Sequence, residues 1–437
     1  MLKIRPIALA TLMTLGTTTG AQAANWLVLQ GTEAPGTAKR AHVWGFIQFE
    51  YSQIDNKKIK STVPASAALD GRYIVPNQVA PDLTTHSGFN IKRARIGVRG
   101  NPFPLDNKLN YFLLAEFGNN GITNTDKGRD FVKVTDASIT YNITPNHHLR
   151  AGLFRLPMGD ESIQAIFISP YINYTAVTNQ LLLERFLTPG TAPGKANRVG
   201  SVGAFRDTGV ELFGTFTRGK WEHSYALMYS NGNGIDMNDT DGNRDTTLYW
   251  ASTWLLGGGK KAFRHEVKAY LWRQDGKRLY NGSNYNRTRQ GVGITWFDGR
   301  YRIMGEYIEA DGMIFNGLNP VCGASSTADH CVRPADSFNA PLTKDRANGW
   351  YVDLGYIINP RWDVSVRYDS LDRGTKTPTA LREFRNWTLA AQYHFNKKTR
   401  LALNYEIRNA RAPHAPKADD IVGAFGNRLT VQLQAVF

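Results

Sequence analysis

The stretch Arg428-Leu429-Thr430-Val431-Gln432-Leu433-Gln434-Ala435-Val436-Phe437 alternates strictly. Leu429, Val431, Leu433, Ala435 and Phe437 fall on one face, and Arg428, Thr430, Gln432 and Gln434 on the other. Side chains of a strand point to opposite sides with a period of two, so this is a strand with one apolar face and one wet face. The preceding strand repeats the pattern. Leu401, Leu403, Tyr405 and Ile407 stand against Arg400, Asn404, Glu406 and Arg408.

Working back from that unit, sixteen candidate strands emerge, each near the length a tilted membrane strand needs. They are 42–53, 89–99, 108–117, 131–142, 148–155, 204–217, 221–230, 245–256, 263–274, 288–297, 301–310, 349–358, 361–369, 382–395, 400–409 and 424–437. Connections after odd-numbered strands are long: 54–88, 118–130, 156–203, 231–244, 275–287, 311–348, 370–381 and 410–423. Those after even-numbered strands are short, and several carry turn chemistry such as Asp298-Gly299 and Asn359-Pro360. A β-sandwich would not alternate in this way. The pattern predicts an all-β transmembrane antiparallel barrel of about 16 strands, with its short turns on the periplasmic side.

Composition agrees. The formal charge is +15, and mean hydropathy is below zero despite 10 Trp, 19 Tyr and 21 Phe. Half of each barrel strand faces water, which dilutes hydropathy, while aromatic rings suit the headgroup layers. Trp221, Tyr225 and Tyr229 share one strand face, as do Trp362 and Tyr368, and Trp387 and Tyr393. Lys3 and Arg5, the apolar run from Ile7 to Leu15, and Ala21-Gln22-Ala23 read as a signal peptide over 1–23, leaving 24–437 as the barrel domain. Its removal takes the charge to +13 (15 − 2). Export places Cys322 and Cys331 in an oxidising compartment, where a local disulfide across a surface loop is expected.

Sixteen strands enclose an aqueous lumen rather than a packed core. By parity, Arg93, Arg95, Arg99, Arg150, Arg264, Lys268, Arg302, Arg361, Arg367, Arg400 and Arg408 face inward, with a nearly matching set of acids. Arg93, Arg95 and Arg99 stack on one strand face with no acid among them. Such a row could hand an anion from one guanidinium to the next. The connection 156–203 is long and partly apolar, at Ala165–Ile168 and Leu181–Leu183, so it is expected to fold into the lumen as a constriction. Thr178-Asn179 is expected to cap a short helix over Gln180–Phe186. The loop's charges nearly cancel, with Asp160, Glu161 and Glu184 against Arg185, Lys195 and Arg198.

Five stretches in this order carry a family resemblance: Lys92–Gly100, Leu114–Phe117, Asp136–Asn142, Arg150–Gly159 and Leu183–Arg185. Together they resemble the phosphate-selective porin O and P family, best over about 88–215. A terminal aromatic such as Phe437 is likewise similar to the C-terminal signature of bacterial outer-membrane barrels. The resemblance implies a homotrimer in the outer membrane of a Gram-negative bacterium, passing small anions such as phosphate by diffusion. It also implies wall bases at Arg93, Arg95 and Arg99 and a constriction base at Arg185. The chain lacks a lysine-rich constriction loop, which leaves open a general porin of the same family.

The other classes have less to stand on. There is no P-loop, no His-Glu-x-x-His and no Gly-x-Ser-x-Gly, and His147-His148 reads as a solvated pair. A barrel enzyme would need a Ser or Asp beside a His, and His223 and His265 have no evident partner. Export, and the lack of a basic cluster interleaved with aromatics, argue against nucleic acid as a partner. A plugged structural barrel is the remaining alternative. No cofactor is expected.

Overall fold

A computed structural model describes residues 25–28, 32–33, 37, 39–55, 87–101, 106–120, 122–123, 132–188, 197–201, 203–259, 263–280, 282–314, 341–416, 419, 422–423 and 426–437. The predicted signal peptide, Lys195, Cys322 and Cys331 lie outside the described residues. The first strands are β1 (His42–Ile54), β2 (Ser87–Gly100), β3 (Leu109–Glu116), β4 (Lys133–Thr144) and β5 (His147–Arg155). Two short strands follow within the long connection, β6 (Arg185–Thr188) and β7 (Asn197–Ser201). Next come β8 (Arg206–Arg218), β9 (Trp221–Ser230), β10 (Asp245–Leu255), β11 (Glu266–Tyr280), β12 (Ser283–Phe297) and β13 (Tyr301–Asp311). The last are β14 (Arg346–Asn359), β15 (Trp362–Arg373), β16 (Arg382–His394), β17 (Thr399–Arg411) and β18 (Arg428–Val436).

Sixteen of these strands close into one antiparallel barrel, in which each pairs with its chain neighbour, β5 pairs with β8, and β18 returns to β1. β6 and β7 form a separate two-stranded sheet. The closing ladder runs from Phe46 opposite Val436 to Ile54 opposite Arg428. Beyond it, Gly45 and Phe437 exchange backbone hydrogen bonds of 3.2 and 2.9 Å. Every barrel strand therefore has two partners. In hydrocarbon this matters, because each unpaired peptide group there costs several kcal/mol.

The alternation read from the sequence sorts the faces. Leu227, Leu271, Val292, Leu389, Leu403 and Leu433 are exposed on the outer face, while Asn404, Thr430, Gln432 and Gln434 are buried inside. Exposed Trp221, Trp362 and Trp387 sit on the outer face, and Trp221 packs on Trp254 with ring centroids 4.9 Å apart. Three expectations need correction. Residues 275–287 are mostly strand: β11 and β12 extend into a long hairpin that turns at Gly282, whose φ of 76° suits glycine. Arg361 stands exposed on a short turn rather than inside. His147 and His148 open β5, and His148 is buried against Asn142, so the pair is not simply solvated.

Two irregularities turn residues inward that strict parity would send out. Opposite Gln48 and Phe49 of β1, β2 presents Arg93 and Ile91, so Lys92 is an extra residue in a bulge. Lys92 and Arg93 are both buried. In β5, Gly152 takes φ 127°, and after it Leu153 and Phe154 are both buried. A Cβ at 152 would lie 2.1 Å from the Ala137 carbonyl oxygen. Gly152→Ala should therefore destabilise the barrel by about 1–3 kcal/mol. The urea midpoint of the refolded protein measures this, and an unshifted midpoint would contradict the argument.

Candidate permeation site

The connection after β5 folds inside the barrel. Helix α1 (Asp160–Ile163) and helix α2 (Ala176–Leu181) are its helical pieces. The Thr175 hydroxyl caps α2 by accepting from the Thr178 amide at 3.0 Å, so the helix starts earlier than the sequence suggested and is capped by a different threonine. Side chains from most of the wall hold the loop. Lys268 pairs with Asp160, and Arg367 donates to Glu161 at 2.9 Å. The Tyr171 hydroxyl donates to Asp353 at 2.6 Å, and the Ile172 amide to Asn404 at 2.7 Å. Gln434 donates to the Phe167 carbonyl, and the Phe167 ring lies 5.3 Å from that of Phe46. The loop thus reaches from β11 across to β1 and β18 before it returns.

Nearly all the wall bases named above have partners. Arg95 bonds Glu116 at 2.7 Å, and Arg150 lies 3.4 Å from Glu211. Arg264 pairs with Glu222 and Glu266, and Arg302 with Asp363 at 2.9 Å. Arg99 sits at the short-turn end, 3.6 Å from Glu33. Arg408 donates to the Gly426 carbonyl. Arg93 and Arg400 are different. Arg93 donates to Gln48 at 2.8 Å, Gln48 donates to Gln434 at 2.7 Å, and Gln434 accepts from Arg400 at 3.1 Å. Arg400 also bonds Gln392. A belt of neutral amides thus links two buried guanidiniums that lack a carboxylate at ion-pair distance among the described residues.

One side of the lumen collects a cluster around the Tyr174 ring of the loop. Arg93, Arg95 and Arg155 lie within electrostatic range of its hydroxyl. Arg155 donates to the carbonyls of Ser162 and Gln164 at 2.8 and 2.6 Å and remains half-buried. Arg206 is bound to Asp136 at 3.0 Å. Four guanidiniums therefore face three carboxylates, Glu50, Glu116 and Asp136. Lys92 adds a base nearby, 3.3 Å from Glu50 and 2.7 Å from Asn173. Lys92, Arg155 and Arg206 were not among the sequence candidates. The signals that could have found them are Gly152 within a strand and two successive bases, Lys92-Arg93, in a strand that otherwise alternates.

The loop's second half is pinned by Glu184, which precedes β6. Its carboxylate accepts from Arg278 at 2.9 Å and pairs with Arg287 at 3.1 Å. The backbone of Arg185 pairs with Ser201, and Arg198 lies in β7. Burial pushes the Glu184 carboxyl up, but Arg278 and Arg287 outweigh it and hold it below its ordinary value of 4.5. A depressed carboxyl contributes stability above the unfolded value and loses it as pH falls through the folded one. The anchor should hold at neutral pH and weaken well below pH 4.5. Glu184→Gln should cost about 1.5–3 kcal/mol of anchoring at pH 7. Limited proteolysis of the loop across pH 7 to 3 reads both effects, and equal cleavage throughout would refute them.

With this geometry in hand, comparison with known proteins is informative. A sequence model described as phosphate-selective porin O and P matches residues 328–437. This is the family the residues resemble. The matched span lies downstream of the stretches that carried the resemblance and includes β14 to β18. No curated protein sequence matches the chain. Among solved structures, the outer membrane channel DcaP of Acinetobacter baumannii superposes with a TM-score of 0.51 at 14% identity, covering 94% of this chain and 100% of that one. Salmonella typhi OmpF, solved with daunomycin, gives 0.51 at 12% identity, covering 91% and 97%. At such identities the likeness concerns the barrel fold.

Proposed function

We propose that this protein is an outer-membrane diffusion channel that favours small anions, phosphate or related oxyanions among them. The observation that carries the reading is the excess of guanidinium over carboxylate around Tyr174, where the inward loop meets the wall. Arg93 and Arg155 are bound by amide and carbonyl oxygens, so no carboxylate bonded to them offsets their charge. At roughly 6 Å and an effective dielectric of about 20, one such charge attracts an anion by about 3 kcal/mol. That is enough to bias entry and weak enough to permit release. A guanidinium fork also meets two oxygens of an oxyanion at once. Arg93, Arg95 and Arg99 step along β2 over roughly 20 Å, towards the short-turn mouth. The family match supports the channel class and the Gram-negative outer membrane as its site, with assembly as a homotrimer. The work is electrostatic, and the reading assigns no catalytic step.

The test is the reversal potential in a planar bilayer under a KCl gradient, repeated with phosphate. The wild-type potential should favour chloride, and added phosphate should reduce chloride current. Arg93→Gln combined with Arg155→Gln should lower the anion-to-cation permeability ratio roughly threefold or more. A cation-selective wild type, or an unchanged ratio in a double variant that still shows heat-shifted gel migration, would sink the reading. Chloride preference without any phosphate effect would make it a general anion channel.

A further inference from the structure

The chain before β1 does not leave the barrel directly. Trp26–Val28 forms a single turn of 3-10 helix against β8. Asn25 donates to Glu222 at 3.2 Å and to Ser224 at 2.7 Å, both on β9. Leu27 is 6% exposed, within the apolar cluster that holds Phe154 and Phe213. Its carbonyl accepts from Arg150 of β5. Further along, the Glu33 carbonyl accepts from Asn110 of β3 at 3.0 Å and Asn142 of β4 at 3.2 Å. The Glu33 carboxylate faces Arg99 of β2. The Lys39 carbonyl then accepts from the Asn101 amide, and the Arg40 carbonyl from Tyr111.

These contacts visit β9, β8, β5, β4, β3 and β2 in the order in which those strands neighbour one another around the barrel. Each wall partner lies near a short turn. Glu222 and Ser224 open β9, Arg150 is near the start of β5, Asn142 is near the end of β4, and Asn110 begins β3. These five are buried, inward-facing polar residues. We infer that residues 25–28 and 32–33 are parts of a strap along the inner wall of the short-turn mouth, and that Asn25 and Leu27 fasten it so that it sets the size of solute able to pass. The inference rests on the channel reading but names a different constriction, away from the arginines around Tyr174. An ordinary tail would hang in water. This one gives its carbonyls and an apolar side chain to the wall, where an open porin would present those same polar groups to the solute.

Two variants of the full-length protein test it in planar bilayers, with polyethylene glycols of graded size as the probe. Leu27→Asp should release the strap, and Asn25→Ala should loosen it. Trypsin reads release directly, as faster cleavage at Lys39 and Arg40 in protein whose heat-shifted migration shows a folded barrel. Released strap should raise single-channel conductance by at least about half and admit larger glycols, with Asn25→Ala intermediate. A silent wild type with a conducting variant would also support the strap, as a closure. Equal conductance and equal glycol cut-off in wild type and a trypsin-sensitive variant would overturn the strap while leaving the channel standing. Silence in both would overturn both readings. If Leu27→Asp fails to fold, Asn25→Ala alone decides between the first and third results.

Discussion

A peptide group in hydrocarbon has nothing to bond except another peptide group, and this structure is organised around that fact. The ladder between β1 and β18 completes it. Once the last strand pairs with the first, no barrel edge is left exposed, and the apolar residues of the outer face can meet lipid without a backbone penalty. Closure also fixes what lies inside. With every second residue turned inward, the wall becomes a dense polar surface of arginines, acids, glutamines and asparagines, and the loop after β5 must fit that surface or be expelled.

The loop fits by supplying the missing half of many wall pairs. Asp160, Glu161 and Glu184 neutralise Lys268, Arg367 and Arg278, while Tyr171 and Asn173 bond acids of β14 and β17. The loop's near-neutral charge is thus consistent with an anchoring role for its acids. What remains uncompensated is set by geometry. Arg155 uses loop carbonyls and Arg93 uses a glutamine, so a field survives beside Tyr174 that a count of charges along the loop would not show.

The strand count, the order of long and short connections and the two faces were legible because membrane burial imposes a period of two with few exceptions. Leu429 to Phe437 show it most clearly, and the inner Gln432 and Gln434 are buried where parity put them. Parity failed where the backbone departs from the pleat. The bulge at Lys92 places two consecutive bases inside, and after Gly152, with its positive φ, Leu153 and Phe154 are both buried. Each event leaves only a faint trace, two successive bases at Lys92-Arg93 and a glycine within a strand at Gly152. The helix in the loop was misplaced for a related reason. Thr175 and Thr178 are both fair caps by composition, and the choice was made by Glu161, which bonds Thr175 from fourteen residues earlier in the chain, beyond the reach of a local pattern. The partners of each arginine were also hidden, since a strand's neighbours across the sheet are set by register.

The seam between Gly45 and Phe437 has a consequence in time. Ladders such as β11 with β12 join residues close in sequence, whereas Phe46 must find Val436 across almost the whole chain. The last barrel strand to emerge from synthesis is the partner of the first, so the cylinder cannot be completed until β18 has been made. Loop-closure entropy of that span is met only at the end, after the local hairpins exist. Until then two adhesive edges stay open, and the nascent protein depends on being kept apart from its own kind until both ends are at the membrane.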